Sequence, residues 1–228
     1  MKDPYFSAAT WAFLRNLKRN NSRDWFQAHS DEYEGLVRGP ALRLIEDMAA
    51  PLATLSPHFR ADARKVGGSL FRIQRDTRFA KDKTPYKTHI GLRFRHERAR
   101  DVHTPLFYLH LSEGGSFVGG GLWRPDGPAL RAIRSFIVAN PAGWKSATRS
   151  AAFRRRFELG GDSLKRPPRG FDPEHALIED LRRKDFVASA PLPDDQVLAA
   201  DLPARLLRDY RRVAPLVEYL CDAMELPY

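Results

Sequence analysis

The stretch IGLRFRH, residues 90–96, decides the fold class. Ile90, Leu92 and Phe94 fall on one side of an extended chain and Arg93 and Arg95 on the other, as a strand with one buried and one wet face requires. Upstream, SLFRIQRD (69–76) carries the same period less cleanly, with Phe71, Ile73 and Arg75 on one side and Leu70, Arg72 and Gln74 on the other. Downstream come PLFYLHLS (105–112) and SFVGGGLW (116–123), joined by Glu113-Gly114-Gly115. The connections are too short for parallel crossovers, so the four segments predict an antiparallel meander.

Helical spacing flanks this region on both sides. Ser7 reads as the N-cap of a helix with Trp11, Leu14 and Leu17 three apart, stopping at Asn20-Asn21. Ser22 caps a second helix with Phe26, His29, Tyr33, Leu36 and Val37 on its face, and Pro40 is expected to open a third carrying Leu44, Ile45, Met48 and Leu52. After the strands, residues 125–140 place Leu130, Ile133, Ile137 and Val138 on one helical face, and a basic helix is expected over 144–156. Residues 158–201 are rich in Pro, Gly and charge, yet Phe171, Leu177, Ile178, Leu181 and Phe186 demand burial, so an ordered excursion with a short helix at 175–183 is expected. Residues 203–224 form the clearest helix, with Leu206, Tyr210, Val213, Val217 and Leu220 alternately four and three apart, and Pro215 predicts a kink or break. The fold class is therefore α+β: an antiparallel meander sheet of four to six strands packed with N- and C-terminal helices. With no internal repeat, low-complexity tract or visible boundary, residues 1–228 are expected to form one domain.

Of the 228 residues 43% are hydrophobic and 11% aromatic, ample for a core. Cys221 is the only cysteine, which excludes an internal disulfide and a cysteine metal cage and fits a reducing compartment. The first residues lack an apolar signal-peptide segment, and there is no run of about 18 apolar residues to span a membrane. A cytoplasmic location without membrane association is the expectation. Lys and Arg number 38 against 28 Asp and Glu, a net charge of +10 that biases the surface towards anionic partners, small molecules or nucleic acid. Excess charge also serves plain solubility. No cofactor and no oligomeric state can be read from the sequence.

One segment is unusually dense in charge. Residues 69–87 hold Arg72, Arg75, Arg78, Lys81, Lys83 and Lys87 against Asp76 and Asp82. Lying between two strand segments, these side chains are placed to converge on an anion, the arginines as bidentate forks and the lysines as mobile point charges. Asp76 would orient Arg75 or Arg78, and Pro85 would stiffen the approach of Tyr86, whose hydroxyl or ring could meet the ligand. The competing reading is that the arginines and aspartates pair with one another as exposed ion pairs, each worth about 0 to 1 kcal/mol. Asp76, Asp82 and Tyr86 are the proton-transfer candidates here, but neighbouring cations lower carboxylate pKa values and favour orienting over proton transfer.

Three stretches, FLRNLKRNNSRDWFQAHSDEYEGLVRGP, FRIQRDTRFAKDKTPYKTHIG and GGGLWRPDGPALRAIR, together with LKRPPRGFD, make the chain resemble the bacterial and fungal family catalogued as domain of unknown function 2461. The resemblance covers nearly the whole chain, and its most specific part is the charged segment. It implies a single-domain protein, and it carries over no mechanism and no catalytic residue.

Other features read as structural. His89, His96, His103 and His110 recur every seven residues, but seven is odd, so they alternate faces or scatter over different elements, and no H-E-x-x-H is present. His110 is expected to be half-buried and hydrogen-bonded. Ser69 and Ser116 follow Gly-Gly without a nucleophile elbow, and Cys221 is expected to be an inert core thiol. Gly119-Gly120-Gly121 lacks the G-K-[ST] ending of a phosphate loop and more simply admits a close neighbour. Arg154, Arg155, Arg156, Lys165, Arg166 and Arg169 are interspersed with Glu158, Asp162 and Asp172 and read as a solvated surface. The leading functional reading is an anion-binding domain, for phosphate or carboxylate, using Arg72, Arg75, Arg78, Lys83 and Lys87. A nucleic-acid-binding module is the second. A protein-interaction domain without a small ligand is the third, favoured if the Arg and Asp residues of the cluster pair among themselves.

Overall fold

The computed structural model describes residues 3–99 and 104–228. Helix α1 (Ala8–Arg19) starts at Ser7 in a reciprocal cap with Thr10, and α2 (Arg23–Ala28) starts where Ser22 accepts the Trp25 amide. The helix expected to open at Pro40 is present, beginning at Gly39 and burying Leu44, Ile45, Met48 and Leu52, but it is not separated from the helical residues before it. Instead α3 (Ser30–Tyr33) runs through a π-helical turn, Glu34–Arg38, directly into α4 (Gly39–Leu55). The cause is local. Proline has no N–H and its ring crowds the carbonyl four residues back, here that of Leu36. Widening the turn, so that the Gly39 amide reaches the Glu34 carbonyl, relieves the crowding. The Leu36 carbonyl then accepts the Thr10 hydroxyl at 3.0 Å. Gly39 suits the widened turn, because a Cβ there would stand 2.9 Å from the Glu34 oxygen.

The sheet contains β1 (Phe59–Arg60), β2 (Ile90–His96), β3 (Leu106–Leu111), β4 (Phe117–Leu122), β5 (Glu158–Gly160) and β6 (Phe186–Pro191), in the order β1-β2-β3-β4-β6-β5, every pair antiparallel. Three of the four expected strands are present as β2, β3 and β4. The fourth, residues 69–76, is not a strand. It touches the edge of β2 through one bridge, Leu70 with Leu92, and then turns away to meet its own return, with Gln74 bridging Tyr86. The edge of β2 nearer its end is already occupied by β1, where Phe59 pairs with His96. Residues 73–87 thus form a finger, closed at its base by Arg75 N–H to Pro85 O and Lys87 N–H to Ile73 O, both 2.8 Å. β1, β5 and β6 lie outside the four expected segments; in β6 the inward positions after Phe186 are only Ala188 and Ala190.

The remaining helices are α5 (Gly127–Ala139), α6 (Pro141–Arg149), α7 (Ala151–Arg154), α8 (Ile178–Leu181), α9 (Asp194–Val197) and α10 (Leu202–Ala223). The expected basic helix over 144–156 is split at Ser150, whose hydroxyl accepts the Phe153 amide to start α7. Val138, expected on the inner face of α5, is exposed, while Arg134 is buried and donates to the Arg183 carbonyl. Pro215 does not break α10, which runs for 22 residues. The one backbone bond lost there is offset by burial of Val213, Leu216, Val217 and Leu220 along the same helix.

Helix α10 lies on β4, and Ile90, Leu92, Phe94, Phe107, Leu109 and Val118 turn to that side. Arg93, Arg95, Tyr108, His110 and Phe117 occupy the other face and stay half-exposed. The glycine run makes the close approach possible, as its residue types implied. A Cβ on Gly120 would lie 3.0 Å from Val217 and 3.1 Å from Val213 of α10. On Gly121, where φ is +127°, a Cβ would meet the Phe186 carbonyl of β6 at 2.1 Å. Gly121→Ala is therefore expected to cost about 2 kcal/mol or more in urea denaturation. Gly160→Ala, at a site with nothing within 4 Å of the added carbon, should change stability little.

Candidate functional site

The charged segment forms the finger, and most of its charges hold the finger together. Arg78 grips Asp76 through Nε at 3.0 Å and Nη2 at 2.7 Å. Arg75 donates to Asp82 at 2.6 Å and to the Thr84 carbonyl at 3.2 Å, and Asp82 accepts the Thr84 amide at 2.9 Å. Lys83 caps the Thr77 carbonyl at 2.9 Å, and Lys87 caps those of Arg72 and Gln74. Tyr86 is buried, its ring stacked on Phe26 at 4.2 Å, with its backbone N–H and carbonyl both bonded to the Asn21 side chain. Of the nine residues singled out from the sequence, Arg72 and Lys81 alone keep exposed side chains with no bond or ion pair among the described residues.

A cleft of about 540 Å³ opens beside the base of the finger. One wall comes from α2, α3 and the π-helical turn, contributing Phe26, Ser30, Tyr33, Glu34 and Arg38; the other is the chain over 65–74 together with Arg93 of β2. Proline-driven widening thus shapes the first wall. The second wall is shaped by Lys87, which ties down the carbonyls of Arg72 and Gln74 from behind, and by Tyr86, which backs Phe26. Among the lining residues Arg38, Lys65, Arg72 and Arg93 are cationic and Glu34 is the one acid. Arg38 takes up Glu34 at 2.7 Å and reaches across to the Lys65 carbonyl at 3.5 Å, joining the walls at one end.

Arg93 differs from the paired arginines of the finger. Its guanidinium carbon lies 4.5 Å from the centre of the Phe71 ring, and among the described residues its Nε is buried without a hydrogen-bond partner and no ion pair reaches it. Burial first, then the neighbouring Arg95, lowers its pKa, so the folded protein holds a cation at some cost in solvation. Tyr33 is pushed up to about 12, chiefly by burial, and remains a protonated hydroxyl at neutral pH. Arg93 faces away from the core, as the alternation of IGLRFRH implied, and lines the cleft. The missed residues, Arg38, Lys65, Phe71 and Arg93, come from segments that meet only in the fold.

The family model described as "Conserved hypothetical protein (DUF2461)" matches residues 9–219. The chain belongs to this family. Neither the curated proteins nor the solved structures include a match. The region matched by DUF2461 takes in the finger, both walls of the cleft and the glycine run.

The remaining candidates fall outside the cleft. Among the described residues no three His, Cys, Asp or Glu side chains gather as a metal would require. His103 lies outside the described residues. His96 bonds the Pro227 carbonyl at 2.8 Å. His110 stacks on Phe117 at 4.7 Å, lies 3.3 Å from the Tyr108 hydroxyl and faces His89 at 4.3 Å. Burial, with smaller effects from His110 and Lys87, pushes His89 down to about 4. Burial also pushes the Cys221 thiol up to about 12, as suits a core thiol. The Ser69 and Ser116 hydroxyls bond backbone groups. In the second basic patch Arg156 clamps buried Asp209 through two bonds, of 2.9 and 2.7 Å. No helix among the described residues is long and apolar enough to cross a membrane.

Asp76 is held at about 2, chiefly by the Arg78 side chain; Asp82 is also held at about 2, first by the Thr84 amide and then by Arg75. Both lie below the ordinary 3.8, so their contribution to the finger is present above that pH and lost as pH falls through about 2. Carboxyl-detected NMR titration should place both midpoints near 2; midpoints near 3.8 would mean that the pairs are open in solution.

Proposed function

We propose that the protein binds an anionic ligand, a phosphate or carboxylate, in the cleft between the π-helical turn and the finger base. Arg93 is the principal cation, with Arg72 and Lys65 at the rim. The observation that carries this reading is the half-buried guanidinium of Arg93 lying on Phe71, unpaired among the described residues. A cation held without a counter-ion in a partly dry site gains more from an arriving anion than an exposed, already paired one does. The arginines of the finger are largely spent on Asp76 and Asp82, which moves the expected site from the finger itself to its base. Binding is favoured over proton transfer, since both aspartates are held ionised and paired with arginines.

A second reading, nucleic-acid binding, draws on one feature. Phe79 at the fingertip is 95% exposed, with Arg78 5.9 Å from its ring centre and Lys81 and Lys83 nearby in the chain. An aromatic ring among cations is the usual platform for an unstacked base. Under this reading affinity for single-stranded RNA falls steeply with salt and depends on Phe79, not on Arg93.

Calorimetric titration with inorganic phosphate and citrate separates these. Arg93→Gln should weaken binding roughly tenfold or more, the worth of a charge-assisted hydrogen bond, while Arg78→Gln leaves it unchanged. Equal affinity in wild type and Arg93→Gln would remove the cleft from consideration.

A further inference from the structure

The cleft contains more than cations. Phe26 and Tyr33 line it from the helical wall and Phe71 from the wall opposite, so aromatic side chains stand on both sides of the space. Phe26 and Tyr33 are themselves in contact, with ring centres 5.2 Å apart, and Tyr86 supports Phe26 from behind. The opposite wall is stiffened in the same way: Phe71 packs edge-on to Tyr108 at 6.1 Å and beneath the Arg93 guanidinium. A bare inorganic anion uses none of this apolar surface. A flat ring does, because aromatic and guanidinium faces stack on it with little sequence or ring preference.

Two further groups are available to read the edge of such a ring. Ser30 and Gln74 both line the cleft, both are exposed, and neither the Ser30 hydroxyl nor the Gln74 carboxamide has a hydrogen-bond partner among the described residues. A carboxamide offers a donor and an acceptor side by side, the pattern that pairs with a nucleobase edge. The cleft volume of about 540 Å³ also lies within the range of small-molecule sites, roughly 300 to 1,000 Å³.

Resting on the anion-binding reading above, we infer that the ligand is a nucleoside phosphate: its phosphate on Arg93, its base between Phe71 and the Phe26–Tyr33 wall, and the base edge on Gln74 and Ser30. The phosphate on Arg93 and the base edge on Gln74 and Ser30 then meet groups that have no hydrogen-bond or ion-pair partner among the described residues. The negative charge relieves Arg93, and the ring covers aromatic surface that a phosphate alone leaves wet.

The test is calorimetry on the full chain with AMP, GMP, CMP and UMP, against ribose 5-phosphate and inorganic phosphate. At least one nucleotide should bind about tenfold tighter than ribose 5-phosphate. Gln74→Ala and Ser30→Ala, both at exposed positions, should reduce that advantage while leaving ribose 5-phosphate binding as in wild type. If all four nucleotides bind no tighter than ribose 5-phosphate, the nucleoside assignment is overturned and anion binding stands. If none of the six compounds binds, both readings fall together. An advantage that survives in both variants overturns the placement of the base edge.

Discussion

The close approach of α10 to β4 at Gly120 is the contact on which the rest of the structure depends. With no side chain there, Val213 and Val217 settle directly over the strand, and the helix becomes the hub that α4, α5, α6 and α7 pack around. The neighbouring glycine, Gly121, lets the backbone of β6 come as near from the side. One short run of residues therefore fixes both the helical layer and the next strand. Because the core lies to that side, residues on the opposite face of β2 and β3, Arg93 among them, are left half-exposed and free to serve a site.

A second constraint, local in origin, shapes the other half of the site. Pro40 cannot donate to the helix ladder, and the turn before it widens to accommodate the ring. The widened turn carries Glu34 and Arg38 to the cleft and links them to the loop at Lys65. π-Helical turns recur at functional sites because they redirect side chains without ending the helix. Here the redirection has an identifiable cause in the covalent structure of one residue.

The electrostatics of the finger show why counting charges in a segment misplaces a site. Six cations within residues 69–87 suggested a field for an anion, but Arg75 and Arg78 have their carboxylates a few residues away and take them. Lys83 and Lys87 are drawn to backbone carbonyls, where their role is to hold the chain in shape. Arg93, in a strand whose neighbours are apolar or basic, has no ion-pair partner among the described residues. It becomes the half-buried unpaired cation by geometry, although nothing in its immediate sequence marks it out.

What the sequence by itself determined is what short-range periodicity and backbone chemistry control. Ile90–His96, Leu106–Leu111 and Phe117–Leu122 alternate strongly enough to be strands, and residues 203–224 repeat strongly enough to be a helix. Gly119-Gly120-Gly121 announced a close neighbour, and the interleaved Arg and Asp residues of the finger allowed for their own pairing. The tertiary structure decided whatever depends on competition between distant segments. Residues 69–76 alternate like a strand, but most of the edge they would need is held by β1 or left unpaired as the chain turns into the finger. The weak pattern of Ala188 and Ala190 became a central strand because β4 offered glycines on which its backbone could rest. The cleft joins residues 26–38, 65–74 and 93, brought together only by folding. Which cations there lack a partner depends on which acids the fold leaves within a few ångströms, a distance that no local pattern encodes.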